Sequence, residues 1–301
     1  WRSTLEAYAY PYFGDLPVCD IGAEHVMAAL KPIWSEKPET ASRLRGRIEN
    51  ILDAAKVEGL REGENPARWR GHLDKVLPPA AKAKKRRNAK LGKSGHHEAM
   101  PYANVPAFMA KLAQPEGIGA KALEFTVLTA TRTGETIGAT WREVDLDKGT
   151  WTIPAGRMKA EAEHSVPLSP RAVEILKEVQ PLAKGRSDAP LFPSTHGGAL
   201  SNMTMLMQLR RLVPAAEDAP RLTVHGFRSS FRDWAAECTG FAHEVCEMAL
   251  AHTIGNKAEA AYRRGQLFDK RRKLMDAWAT YCASDGAAGS KVTHIRELNA
   301  A

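Results

Sequence analysis

The sequence predicts a mainly α-helical protein of two domains, with a small antiparallel β-sheet inserted among the helices of the second. Apolar residues recur at steps of three and four through most of the chain. A basic stretch bounded by Pro and Gly divides the chain near residue 90. Between residues 141 and 169 the pattern shortens to runs of β-branched and aromatic residues around a turn. With 301 residues, 44% of them apolar and 26% charged, the chain is long enough to bury two modest cores, and its composition excludes disorder and a collagen-like fibre.

Residues 1–77 read as helices. From Pro38 to Gly59, Leu44, Ile48, Ile51, Leu52 and Ala55 fall on one stripe, while Arg43, Arg45, Arg47 and Lys56 fall mostly elsewhere, giving a dry face and a basic face. A shorter pattern runs from Ala23 to Trp34. Asn65-Pro66 predicts a further helix start, a cap residue followed by Pro at the first helical position. The chain opens at Trp1 already inside a helical pattern, as expected of a piece of a longer protein.

Residues 78–100 read as a basic interdomain linker. Lys82, Lys84, Lys85, Arg86, Arg87, Lys90 and Lys93 stand beside Pro78, Pro79, Gly92 and Gly95 with no acid between Pro78 and His97, a strap that could follow a phosphate backbone or simply be solvated. His96 and His97 at its end have no nearby partners for a metal. The second domain, 101–284, shows helical periodicity at 104–113 and 118–131. It then carries WREVDLDKGTWTIP and EHSVPLS as strands, with Asp147-Lys148-Gly149 as the hairpin turn. Helical patterns resume at 170–179, 202–212, 225–237, 244–251, 256–264 and 267–283, and 285–301 is a small-residue tail. Met203, Met205 and Met207 are expected to fill core space beside Leu206 and Leu209, and Cys238 and Cys246 to pack.

Lys and Arg total 43 against 35 Asp and Glu, a formal charge of +8, which favours polyanionic partners. The four cysteines form no CxxC pair, so neither a disulfide framework nor a zinc ribbon is expected. No run of 18 uncharged apolar residues occurs, so no segment is expected to span a bilayer.

Several polar groups could carry chemistry. THGFRSSFRDWAAE places His225 and Arg228 three residues apart at a helix start, where imidazole, guanidinium and helix N-terminus together suit an anion; taken alone, the pair is as readily a cap or a surface contact. Arg132 ends the apolar segment ALEFTVLTATR and enters a tight turn, Thr133-Gly134-Glu135, in which Glu135 could brace an arginine holding phosphate. Lys159 follows Arg157 in the turn between the expected strands, where most lysines are solvated. LAHTIGNKAEAAYRR carries His252 and Tyr262, and Tyr262 alone among six tyrosines is flanked by bases; Tyr281 reads as packing in the last helix.

Taken in order, Arg in TRTGE, Lys on a hairpin, HGFR, His in LAH and Tyr in AAYRR closely resemble the tyrosine recombinases of the phage integrase family. IWSEKPETASRLRGRIENILDAAK, NPARWRGHL and HHEAMPYANVPAFMAKL resemble the core-binding region of prophage and genomic-island integrases of the P4 type, so the resemblance covers nearly the whole chain. It implies a helical core-binding domain over 1–77 and a catalytic domain over 101–284, closing as a C-shaped clamp on double-stranded DNA. An arm-binding domain would precede them in the family and has no room before Trp1. Arg132 and Arg228 would clamp the scissile phosphate, Tyr262 would attack it to form a 3′-phosphotyrosyl bond, and His225 would take the phenol proton. Lys159 would protonate the departing 5′-oxygen and His252 would hydrogen-bond the phosphate, with Glu135 in support and no metal or ATP cofactor. Arg43, Arg45, Arg47, Lys82, Lys84, Lys85, Arg86 and Arg87 would face DNA. The resemblance further implies a homotetramer on paired attachment sites, accessory DNA-bending or excisionase proteins, no membrane, and a cytoplasmic, nucleoid-associated setting in bacteria. A type IB topoisomerase and a non-catalytic DNA-binding regulator are the alternatives; the integrase-like first domain argues against the former, and the presence of Arg132, Arg228 and Tyr262 against the latter.

Overall fold

In the unit Trp1–His96 the apolar spacing becomes α1 (Arg2–Tyr8), α2 (Tyr10–Phe13), α3 (Ala23–Trp34), α4 (Pro38–Val57) and α5 (Ala80–Lys90). The computed structural model describes residues 1–90, 98–214, 221–252 and 267–284. Val26, Ala29 and Leu30 of α3 share a core with Leu44, Ile48 and Leu52 of α4. Ile51, expected in the same stripe, is left 38% exposed because the neighbouring helices cover the middle of α4 and not this flank.

Two expectations fail here. No helix starts at Asn65: its side-chain oxygen accepts the Ala67 N–H at 2.9 Å and its amide donates to the Glu49 carbonyl at 2.8 Å, so it caps a turn instead. Trp69 then stacks on Trp34 with ring centres 5.7 Å apart, Gly71 takes a φ of +71°, and only a 3₁₀ turn at Leu73–Lys75 follows. The basic run is also no connector as far as residue 90. Ala80–Lys90 is helical because Ala, Lys and Arg are good helix formers, and it docks through buried Ala83, a Lys84–Glu39 ion pair of 3.2 Å and the Trp34 indole donating to Pro78 O at 2.9 Å. Lys93, His96 and His97 lie outside the described residues.

The unit His97–Ala301 contains α6 (Val105–Leu112), α7 (Ile118–Thr129) and α8 (Thr133–Ile137), then strands β1 (Val144–Asp145), β2 (Thr150–Ile153) and β3 (His164–Pro167). It continues with α9 (Pro170–Val179), α10 (Asn202–Leu212), α11 (Gly226–Cys238), α12 (His243–Ala249) and α13 (Phe268–Cys282). The strands pair antiparallel in the order β1-β2-β3, with Asp145 opposite Thr150 and Ile153 opposite His164. The protein is thus mainly helical with one small antiparallel sheet. The helix expected at 256–264 and the tail lie outside the described residues.

The middle of the second core is α7, buried without a break from Ala122 to Thr129. Thr126 and Thr129 satisfy their hydroxyls on the carbonyls of Ala122 and Phe125, and Glu124 is held by Arg171, so the helix can be buried on every side. Trp278 of α13, fully buried, donates its indole N–H to Val127 O at 2.9 Å, a second hydrogen bond on a carbonyl that already takes the Ala130 N–H at the end of the helix. Of the three methionines of α10 only Met205 enters the core; Met203 and Met207 are 49% and 42% exposed, since residues two apart cannot share a helix face. Tyr281 packs on Trp234 and Trp278 and donates to Tyr102 O, and Cys246 is buried, as expected of packing residues. Among the described residues no helix is long and apolar enough to cross a membrane, and no group of three His, Cys, Asp or Glu could hold a metal.

Candidate active site

The end of α7 sets the site. Ala130 takes the left-handed conformation at φ 50°, which stops the helix and turns Arg132 into position as the N-cap of α8. Glu135, 5% exposed, reaches back from the third position of α8 and accepts both the Arg132 backbone N–H at 2.7 Å and Arg132 Nη1 at 2.6 Å. A Cβ at Gly134 would meet nothing within 4 Å, so the ground beside this arginine is open.

Arg228 arrives from α11. His225 caps that helix and is exposed, whereas Arg228, one turn on, is 6% exposed. The intervening Gly226 is required by packing: a Cβ there would lie 2.2 Å from the Glu98 carbonyl oxygen. The Arg228 guanidinium donates to Ala130 O and Leu250 O, each at 2.5 Å, which are the carbonyls at the C-terminal ends of α7 and α12. The partial negative charge of two helix ends thus fixes a buried cation. Burial and then the charge of Arg132 push the Arg228 pKa down to about 10, with Glu135 and Glu247 opposing. Arg228 stays charged at neutral pH, and the mutual repulsion of the two arginines is what an anion placed between them would relieve.

His252 stands 3.2 Å from Arg228 Nη2 through Nε2 and 2.7 Å from Glu247 through Nδ1. A guanidinium has no acceptor, so Nε2 accepts and the Nδ1 proton goes to Glu247. Glu247 also takes Arg232 Nε at 2.5 Å, and Arg232 in turn reaches His243 Nδ1 at 2.6 Å. Burial opposes the Glu247 charge, yet the hydrogen bonds from Arg232 and His252 outweigh it and hold the carboxyl below its usual range.

Lys159 is exposed in the segment joining β2 to β3. Two residues earlier Arg157 donates to the buried Glu143 carboxylate and to the backbone carbonyl of Glu135. On the returning arm His164 comes close to the Ala249 backbone, and burial, followed by the charge of Arg271, pushes its pKa down to about 4. The structure therefore gathers Arg132, Glu135, Arg228 and His252, puts His225 on the same helix turn as Arg228, and ties the hairpin of Lys159 to the Arg132 turn. Tyr262 lies outside the described residues.

Sequence reasoning passed over Glu247, Arg232, Arg157, Glu143 and His164. An acid in the apolar run VCEMALAH was the available signal for Glu247; nothing in the local pattern marked Glu143 or His164, whose partners are remote in sequence. Of the expected DNA-facing residues, Arg45 is largely engaged within its own unit, pairing with Glu49 at 2.5 Å, donating to Ala67 O and lying over the Trp69 ring. Arg43 pairs with Glu39 on the surface, Arg47 lies over Trp1, and Lys82, Lys84, Lys85 and Arg86 are exposed on α5 with Arg87 half-buried.

Residues 1–72 match the phage integrase central domain and residues 99–266 the phage integrase family. The prophage integrase IntA of Escherichia coli K12 is 30% identical over 99% of this chain and 68% of its own length. The integrase of Enterobacteria phage P4 is 29% identical over 92% of this chain and 63% of its own. The chain spans about two thirds of the length of these curated relatives. A solved lambda integrase dimer bound to a COC′ core site shares the fold, with a TM-score of 0.58 at 19% identity over 88% of this chain and 87% of that one. The second match runs from before the Arg132 turn to beyond Tyr262, and with the match over the first unit it shows that the chain belongs to the phage integrase family, the tyrosine recombinases.

Proposed function

We propose that this chain breaks and rejoins double-stranded DNA at specific sites through a 3′-phosphotyrosyl intermediate, and so integrates or excises a mobile element. The observation that carries the reading is the convergence of Arg132 and Arg228, one braced by Glu135 and the other gripped by two helix ends, on the neighbouring carbonyls of Ala251 and Leu250. A phosphodiester there would have its non-bridging oxygens clamped by two guanidiniums held in place before it arrives, which is where the pentacoordinate transition state gathers charge. His252, oriented by Glu247 through Nδ1–H, would donate a hydrogen bond from Nε2 to the same oxygens in its protonated, imidazolium form.

Tyr262 would attack phosphorus as His225 accepts the phenol proton. The bond to the 5′-oxygen breaks as the tyrosyl–phosphorus bond forms, and Lys159 gives that oxygen its proton. The phosphotyrosyl bond keeps the energy of the broken backbone, so the reverse attack by a 5′-hydroxyl, from the same or a partner duplex, reseals the strand without ATP. The arginines supply the charge that a divalent cation brings to other phosphoryl transfers. Exchange between two sites calls for four protomers, and a solved lambda integrase is a tetramer on a Holliday junction. Accessory bending or excisionase proteins and action at the bacterial nucleoid belong to the same proposal.

The test is incubation in EDTA with nicked duplexes carrying candidate attachment sites from the ends of the element. A covalent protein–DNA band on a denaturing gel, lost in Tyr262→Phe, supports the reading; DNA demonstrably bound without such a band contradicts it.

A further inference from the structure

The hairpin that carries Lys159 is tied to the arginine clamp through one side chain that the chemistry above does not use. After β2 the chain makes a 3₁₀ turn, Ala155–Arg157, and Arg157 lies across the top of α8, donating to the carboxylate of Glu143 and the backbone carbonyl of Glu135. Glu143 is itself fixed: 6% exposed, it accepts the Trp151 indole at 3.0 Å and the Thr140 hydroxyl at 3.2 Å. The backbone has left room for the guanidinium, since a Cβ at Gly138 would stand 3.0 Å from Arg157 Nη2. Met158, 5% exposed, then buries the next residue, and Lys159 is the first exposed residue after the anchor.

Glu135 is the shared member. Its carboxylate holds Arg132 and its carbonyl holds Arg157, so the clamp and the lysine-bearing hairpin are referenced to one residue. A half-buried ion pair adds little to stability over an apolar substitute, whereas a planar guanidinium spanning two fixed acceptors sets direction as well as distance. We propose that Arg157 is a positioning residue for proton donation: by joining the β2–β3 hairpin to the Arg132–Glu135 turn it places the Lys159 ammonium at the departing 5′-oxygen. The inference rests on the reading of Lys159 as the proton donor.

The test uses the full chain and a nicked attachment-site duplex made in two forms, with oxygen or with sulfur at the 5′-bridging position of the scissile phosphate. Sulfur leaves as a thiolate and needs no proton, while Tyr262 and the arginines are needed equally for both. Arg157→Ala is expected to slow cleavage of the oxygen duplex on the order of 10²-fold, the usual cost of a misplaced proton donor, and to cleave the sulfur duplex nearly as fast as the parent protein, as Lys159→Ala does. Arg157→Lys, which can reach one acceptor but not both, is expected to lose less on oxygen and be restored by sulfur in the same way; it serves if the alanine variant melts. If both Arg157 variants are slow on either duplex while Lys159→Ala is restored by sulfur, Arg157 is merely structural and the inference is overturned alone. If Lys159→Ala is not restored, the assignment of Lys159 fails and the inference falls with it.

Discussion

Arg228 is a guanidinium gripped by main-chain carbonyls, and that grip predicts what its replacement does. Lysine keeps the charge but cannot donate to Ala130 O and Leu250 O and still face a phosphate, so Arg228→Lys should lower single-turnover DNA cleavage about 10²-fold or more, as loss of a fixed oxyanion donor does. DNA binding, measured by gel shift, should change far less. His164 makes a different prediction. Folded, it stays neutral down to about pH 4 because it is buried near Arg271 and Arg228, whereas unfolded it takes up a proton near its ordinary value. The unfolded chain therefore binds more protons as pH falls, and stability present in full above about pH 6.5 is lost progressively towards pH 4, on the order of 3 kcal/mol. Urea unfolding from about pH 7 to about pH 5 should show this slope, and His164→Gln, which keeps a polar side chain but cannot titrate, should flatten it. A slope unchanged in the variant would assign it to other groups.

At the scale of elements, the start of α11 carries the tightest local demand. Gly226 faces the backbone of Glu98 and Ala99 with no room for a methyl group, so Gly226→Ala should destabilise the second unit by about 1–3 kcal/mol in urea, the range of overpacking. Gly134, with open space beside it, should tolerate alanine at far smaller cost, although alanine there narrows the approach to Arg132. The long helices were legible in the sequence because periodicity reports burial: Pro170–Val179 and Asn202–Leu212 appear with the expected bounds, and the hairpin turn at Asp147-Lys148-Gly149 connects β1 and β2. α5 was not legible, since it docks by one alanine, one ion pair and a hydrogen bond to Pro78, and a seven-base run without acids carries no apolar stripe. The turn after Asn65 was misread for a related reason: the same side chain that caps a helix also closes a turn, and the choice was made by Trp69 finding Trp34 far away in sequence. Motif order marked the arginines and histidines of the site; Glu247, which aims His252, left only an acid in an apolar run as its mark, while Arg157 reaches Glu143 and Glu135 across 14 and 22 residues, distances that no local pattern records.

At the scale of the whole molecule, each unit owns a separate core, and the family match extends over both. The charge of +8 and the exposed bases of α5 predict DNA binding that weakens steeply with salt, and neutralising Lys82, Lys85 and Arg86 together should reduce the slope of log K against log salt by roughly 3 if all three touch phosphates. The central claim is narrower: the arginine pair serves a tyrosine nucleophile, and that tyrosine is Tyr262. Tyr102 and Tyr281 are poor rivals, since the Tyr102 hydroxyl is given to Glu237, which raises its pKa, and burial raises that of Tyr281. The most direct measurement is to trap the protein on a nicked duplex, digest the complex, and find by mass spectrometry which residue carries the nucleotide. The account predicts a nucleotide on Tyr262 alone. An adduct on another residue, or a cleaved strand with no protein attached, would contradict it.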